Sequence, residues 1–335
     1  MNNNTLILSM RTLQLKLSDL KLTNFSHTIN FLLLFVALFA VSFTAIFIKI
    51  SVSEISSNAT LFNRLWIVTI IFGIWNGFKK IQSQNSESAT DLTSPAPNFQ
   101  PWEFFKQGGF LLVIVATLHL SGRFIWTWSL TQTTAANATV LSNMTPVFTT
   151  LGSWLFLGHY FDRRFLTGLS LAMLGTITLG ARDVSFSGGE FIGDIAAVCS
   201  AIFYSIGGLI SQKVRQHFDS ATILMWRSSL STVFMLPVVL IFDKQILPIS
   251  PLGWVAVIGL AALSEATGHG LAIYSMKHFT VSFLSVFFLL ESVVTALLAW
   301  IIFAEKVGVL NCFAFLTIIV GIYFAKTGKG AETKQ

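Results

Sequence analysis

The sequence predicts an all-α integral membrane protein whose ten transmembrane helices form two inverted five-helix repeats. Three observations carry that prediction. The first is composition: of 335 residues, 53% are hydrophobic and only 11% are charged, where a soluble chain would carry about a quarter charged residues. Mean hydropathy is +0.72, and 32 Phe exceed what one water-surrounded core could use. The second is the recurrence of long apolar runs along nearly the whole chain. The third is that the polar landmarks of the first half return, in order, in the second.

Ten apolar segments run over roughly 31–52, 60–78, 108–130, 135–157, 165–182, 191–211, 221–242, 252–275, 280–303 and 308–326. Each approaches the 17–25 residues that a helix needs to cross ~30 Å of hydrocarbon. The fifth is the shortest and is Gly-rich. The runs are continuous rather than alternating, which selects helices over barrel strands. The resulting division is a cytoplasmic tail over 1–28, a first repeat over 29–182, a second over 183–326 and a short cytoplasmic tail over 327–335. The N-terminal tail lacks the basic, apolar and cleavage regions of a signal peptide and reads as disordered, although Leu13, Leu17 and Leu20 can line one face of an interfacial helix. The polar stretch Gln82–Gln100 reads as a flexible cytoplasmic linker. Cys199 and Cys312 both fall inside apolar runs, so they offer neither a disulfide framework nor a zinc site. No cofactor or metal is expected.

Orientation follows from Lys and Arg. With the N-terminus inside, the inner loops and tails collect Lys79, Lys80, Lys106, Arg163, Arg164, Lys213, Arg215, Lys277, Lys326 and others, while the outer loops keep only Arg182, Lys244 and Lys306. That asymmetry obeys the positive-inside rule. It also accounts for the net charge of +6 without nucleic acid. Both termini are then cytoplasmic, in a plasma (inner) membrane.

The halves superpose at a nearly constant offset: Gly122 meets Gly268, Trp128 meets Tyr274, Thr149 meets Thr295, Trp154 meets Trp300 and Gly175 meets Gly321, and at a slightly larger offset Lys49 meets Lys213 and Arg64 meets Arg227. Five spans per half is an odd number, so the second half enters the membrane from the opposite side. Inverted repeats with a site at their interface are the architecture of alternating-access transporters.

Against this apolar background a few polar residues stand out. His119 and Arg123 lie on the third span, Glu265 and His269 on the eighth. These are aligned positions, and each pair is spaced i,i+4 on one helix face. Asn143 on the fourth span and Glu291 on the ninth complete the candidate set for substrate binding or proton coupling. Counting rise per residue puts Glu265 and Glu291 roughly 15–17 Å deep, near the midplane. A charge there costs about 2.5–3.5 kcal/mol on insertion scales, so these groups must face a cavity or one another. A buried Arg123–Glu ion pair holding the bundle together is the structural alternative. Trp126, Trp128 and Tyr274 are the candidate cavity wall, and Pro146 should free the Ser142 carbonyl and kink the fourth span. Lys49 and Lys213 read as snorkelling anchors, and Arg64 and Arg227 as helix-end partners for headgroups or loop carboxylates. The spacings Gly73/Gly77 and Gly189/Gly193 suit close helix contact.

The five-plus-five pattern resembles the drug/metabolite transporter superfamily in its EamA-domain branch. The resemblance is carried by Phe62–Asn63–Arg64, by Trp128–Gly158 and by Ile273–Lys306, each of the last two being a helix end, a short turn and a long helix. It covers about residues 30–326. Two departures are His159, where the family has glutamate and the second half keeps Glu305, and Glu291–Ser292, where the first half has Thr145–Pro146. The resemblance implies that the third, fourth, eighth and ninth spans line a central cavity. It implies a secondary active transporter rather than an enzyme, as a monomer or homodimer among membrane lipid, but the two departures leave its substrate open. The polar residues point to export of amino acids or related small metabolites, since Arg123 alone is too little positive charge for a phosphate, and to protons as a coupling ion, taken up by Glu265 or Glu291 beside His119 or His269. The alternatives are a phosphorylated-sugar or nucleotide-sugar antiporter and, from another class, an intramembrane enzyme built on the His/Glu cluster, although "EATGH" is not the HExxH zinc pattern.

Overall fold

The computed structural model describes residues 28–87, 108–180, 191–303 and 308–332. The expected N-terminal tail and most of the expected linker lie outside them. Among the described residues the regular structure is helical, with one isolated β-bridge between Phe279 and Glu332. The helices are α1 (Thr28–Ser51, with a local break at Phe43), α2 (Ser57–Glu87), α3 (Phe110–Ser129), α4 (Ala135–Ser142), α5 (Thr145–Leu157), α6 (Arg163–Gly180), α7 (Phe191–Val214), α8 (Ser220–Phe242), α9 (Pro251–Ser275), α10 (Val281–Phe287), α11 (Leu290–Phe303) and α12 (Val309–Thr327).

Eight of the expected spans are long and apolar enough to cross a membrane, including Val281–Ile302 taken across the α10–α11 break. The remaining two differ for local reasons. The stretch 135–157 is divided into α4 and α5, whose sequences carry Thr, Ser and Asn among the apolar residues. Helix α6 has 18 residues and spends its first two on Arg163 and Arg164. Helix α2 runs past the expected end of its span, through Gln82–Glu87. That stretch holds neither Gly nor Pro, so nothing in it stops a helix already begun.

The fourth span breaks where Pro146 predicts. Asn143 and Met144 form the turn, and Pro146 enters the first turn of α5. The Ser142 carbonyl accepts a hydrogen bond from the Thr145 hydroxyl at 2.8 Å. The ninth span breaks at the aligned place, Phe288–Leu289, without a proline, and Glu291 falls in the first turn of α11. An acid there complements the positive end of the helix dipole.

Packing is tightest where glycine removes the side chain. A Cβ on Gly168 would lie 2.3 Å from the Ala325 backbone nitrogen, and one on Gly321 would lie 2.4 Å from that of Ala172, so α6 and α12 touch backbone to backbone. Helix α3 packs along α7 and α2 along α8. The end of the bundle holding the start of α1 and the end of α12 is proximal. There Lys326 lies over the rings of Phe31, Phe279 and Phe283 at 4.9–5.9 Å. Buried Leu112, Val214, Ile223, Leu224 and Ile273 fill the neighbouring space. At the distal end the Glu54 carboxylate accepts hydrogen bonds from the Ile249 and Ser250 amides and from the Ser250 hydroxyl, tying the α1–α2 turn to the start of α9.

Candidate functional site

Glu265 is the centre of the site. It sits in a π-helical stretch of α9, Leu260–His269, and is 4% exposed. π-Turns are rare and concentrate at functional sites. Its two oxygens are divided: Oε2 pairs with Arg64 of α2 and Oε1 with Arg227 of α8. Both arginines are buried, at 3% and 7% exposure. This corrects the expectation that Arg64 and Arg227 serve headgroups or loop carboxylates at helix ends. Their backbones do lie only two turns into α2 and α8, but the side chains are long enough to carry the charge inward.

The two histidines take parallel roles. His119 Nδ1 lies 3.2 Å from the Val115 carbonyl oxygen, four residues back. His269 Nδ1 lies 3.2 Å from the Ser264 carbonyl oxygen, five residues back because of the wider turn. A carbonyl only accepts, so Nδ1 carries the proton in each neutral ring and Nε2 is left as the acceptor. His269 Nδ1 is also 3.9 Å from Glu265 Oε2. Gly207 of α7 makes room for His119: a Cβ there would lie 2.8 Å from Nδ1.

Two cavities meet at this cluster. The smaller, about 230 Å³, is lined by His119, Arg123, Tyr204, Arg227, Glu265 and His269 with leucines and Ser231. The larger, about 520 Å³, is lined by Arg64, Arg123, Trp126, Tyr204 and Glu291 with Phe124, Leu130, Leu260 and others. It reaches Ser57 and Asn58 at the start of α2 and Leu130 just past α3, so it extends to the distal end. Arg123, Leu61 and Tyr204 belong to both. Among the described residues no carboxylate lies within ion-pair distance of Arg123, and the expected structural alternative, an Arg123–Glu bridge, is replaced by the Arg64–Glu265–Arg227 cluster. The buried Trp126 Nε1 has no hydrogen-bond partner among the described residues. It is a spare donor in the wall of the larger cavity.

The structure therefore brings together His119, Arg123, Glu265, His269 and Glu291 with Trp126. It places other expected residues elsewhere. Asn143 lines a separate cavity of about 630 Å³ with Thr139, Thr176, Ser292 and Asn311. Trp128 is 50% exposed on the outer face of α3, one residue out of phase with the cavity side. Tyr274 lies at the proximal end, with the Arg215 guanidinium 5.7 Å from its ring centre. Arg64 and Arg227 are what sequence reasoning missed. The available signal was their alignment with each other across the two halves, both of sign opposite to Glu265.

A bundle this apolar, with charged groups sequestered around cavities between helices, defines a multi-pass membrane protein with a polar site buried among its helices. Comparison with known proteins makes that specific. The EamA-like transporter family matches twice, over residues 28–181 and 191–327. The chain belongs to the EamA-like transporter family. It is 23% identical over 275 residues to an uncharacterized transporter of Archaeoglobus fulgidus, covering 77% of this chain and 92% of that protein. It is 24% identical over 186 residues to an uncharacterized transporter of Helicobacter pylori, covering 50% of this chain and 61% of that one. One solved crystal structure superposes with a TM-score of 0.70 at 17% identity, over 89% of this chain and 96% of the other, a likeness of fold.

Proposed function

We propose that the chain is a secondary active transporter that exports amino acids or related small metabolites by alternating access. The observation that carries this reading is the larger cavity, which presents a cation, Arg123, and a carboxylate, Glu291, between apolar walls. A zwitterion needs that pairing: its carboxylate on Arg123, its ammonium on Glu291, its side chain against Phe124, Trp126 and Leu260. Protons are the coupling ion, taken by a cavity carboxylate when the ammonium is absent. The frame is ten spans, counting α4–α5 and α6, in two inverted repeats. The symmetric pairing of α2 with α8 and of α6 with α12 supports it. The proximal end faces the cytoplasm of a plasma (inner) membrane, in keeping with the Lys and Arg gathered there.

The test is flux of radiolabelled amino-acid pools in proteoliposomes under an imposed pH gradient. Glu291→Gln should abolish pH-gradient-dependent flux, and Arg123→Gln should abolish flux altogether. Wild-type flux that survives both changes sinks the assignment. A second reading, a phosphorylated-sugar antiporter, is favoured by three arginines, Arg64, Arg123 and Arg227, at the paired cavities. Exchange of labelled inorganic phosphate into phosphate-loaded vesicles, with no amino-acid flux, would select it.

A further inference from the structure

The Arg64–Glu265–Arg227 cluster has three properties that a strut between helices does not need. The two guanidiniums face different cavities, Arg64 the larger distal one and Arg227 the smaller. Glu265 spends one oxygen on each instead of both on one. Arg64, although 3% exposed, leaves its Nε without a hydrogen-bond partner among the described residues. A guanidinium is satisfied best by a carboxylate that meets two of its N–H groups side by side. Glu265, shared between two arginines, does not give Arg64 that fork.

We propose that Arg64 and Arg227 form a carboxylate-binding site whose resident occupant in the empty protein is Glu265, and that an organic carboxylate entering the distal cavity takes Arg64 from it. The inference rests on the transporter reading only for its purpose; the site itself is defined by the cluster. An arginine pair without a counter-ion is costly in a membrane interior, because the buried charges have lost their water and gained no partner. A resident carboxylate lowers that penalty while the cavity is empty. An incoming carboxylate replaces one oxygen on Arg64 with two, and Glu265 stays paired with Arg227 and beside His269. Each arginine keeps a carboxylate contact throughout, and the incoming anion cancels the one positive charge that Glu265 alone leaves over, so entry and release both avoid an arginine with no partner. Arg123 lines both cavities, with no ion-pair partner among the described residues, and draws the anion in towards Arg64.

The experiment uses the full chain in detergent and benzoate as the probe, since benzoate has a carboxylate, an aromatic body suited to Trp126 and Phe124, and no ammonium for Glu291. Binding is read by titration calorimetry at neutral pH, with benzamide as the uncharged control. Glu265→Gln should bind benzoate about tenfold more tightly than the wild type, the scale of one charge-assisted contact. Adding Arg64→Gln should remove the gain, and benzamide should bind all three alike. A folded Glu265→Gln with unchanged benzoate affinity overturns the proposal, and so does a gain that survives Arg64→Gln. If Glu265→Gln does not fold, Glu265→Asp serves: its carboxylate is one methylene too short to hold both arginines, so benzoate affinity should rise about threefold, and no rise overturns the proposal. Flux failing in vesicles while these affinities behave as expected would sink the transporter reading instead.

Discussion

Arg64 and Arg227 fix what Glu265 can do. With both guanidiniums on it, the carboxylate is a counter-ion shared by two buried cations, whereas Glu291, in the same cavity as Arg123, has no ion-pair partner among the described residues. Removing the carboxylate should therefore strand both cations. Glu265→Gln should lower the unfolding free energy by about 3–5 kcal/mol, the usual cost of leaving a buried charge without its partner, read as a drop in the thermal midpoint in detergent. Adding Arg64→Gln takes away one of the two stranded cations and should recover part of the loss; strictly additive losses would mean that the pair carries no coupling. At this scale the sequence was half legible. Glu265, Glu291, His119, His269 and Arg123 announced themselves as charge or imidazole inside apolar runs. Arg64 and Arg227 did not, because depth counted from the backbone ignores the reach of an arginine side chain.

Helices meet each other in ways that local pattern foretells only in part. Pro146 announced the break in the fourth span; nothing comparable in the sequence announces the break at Phe288–Leu289. Glycine spacing was equally ambiguous. Gly73 and Gly77 looked like a contact motif, yet a Cβ on either would meet nothing within 4 Å, while Gly168 would collide with the Ala325 backbone. Gly168→Ala should accordingly destabilise the protein by about 1–3 kcal/mol through overpacking. Gly73→Ala should be neutral or stabilise it by up to about 1 kcal/mol through helix propensity. Equal midpoints for the two variants would contradict this packing.

The distal turn gives a pH prediction. The Ser250 hydroxyl, then the Ser250 and Ile249 amides, hold the Glu54 carboxyl below its usual range. A depressed carboxylate contributes stability that is present above its unfolded pKa, about 4.3 for Glu, and lost as pH falls through the lower folded value. Hydrogen-exchange protection of the Ile249 and Ser250 amides should thus be constant from neutrality down to the ordinary carboxylate range and collapse below it. Glu54→Gln should weaken that protection at neutral pH; unchanged protection would mean that the carboxylate is not the clamp.

Taken as one body, the molecule is asymmetric along its axis. The larger cavity extends to the distal end, and aromatic and aliphatic clusters fill the proximal one. The spans that make this arrangement were legible as apolar runs. The two that fall short of a crossing helix by length and composition, 135–157 and α6, are those where polar residues or leading arginines dilute the run. What no run of residues could reveal is which spans are tied together at the distal end. Glu54 fastens the α1–α2 turn to the start of α9. On the other side the Thr133 hydroxyl donates to Asp194 at 2.7 Å, fastening the α3–α4 turn to α7. The mouth of the cavity lies between these two fastened groups, since Asn58 belongs to one and Leu130 to the other, and both line it. Closing the distal end requires the groups to approach as units, because bending within either would break its own clamp. A cysteine at Asn58 and another at Leu130, with Cys199 and Cys312 replaced by Ser, should therefore become cross-linkable by a short bifunctional reagent during turnover. The cross-link should stop most of the flux, and cleaving it should restore it. A cross-linked protein that transports at the rate of the uncross-linked one would show that solute does not pass between these groups.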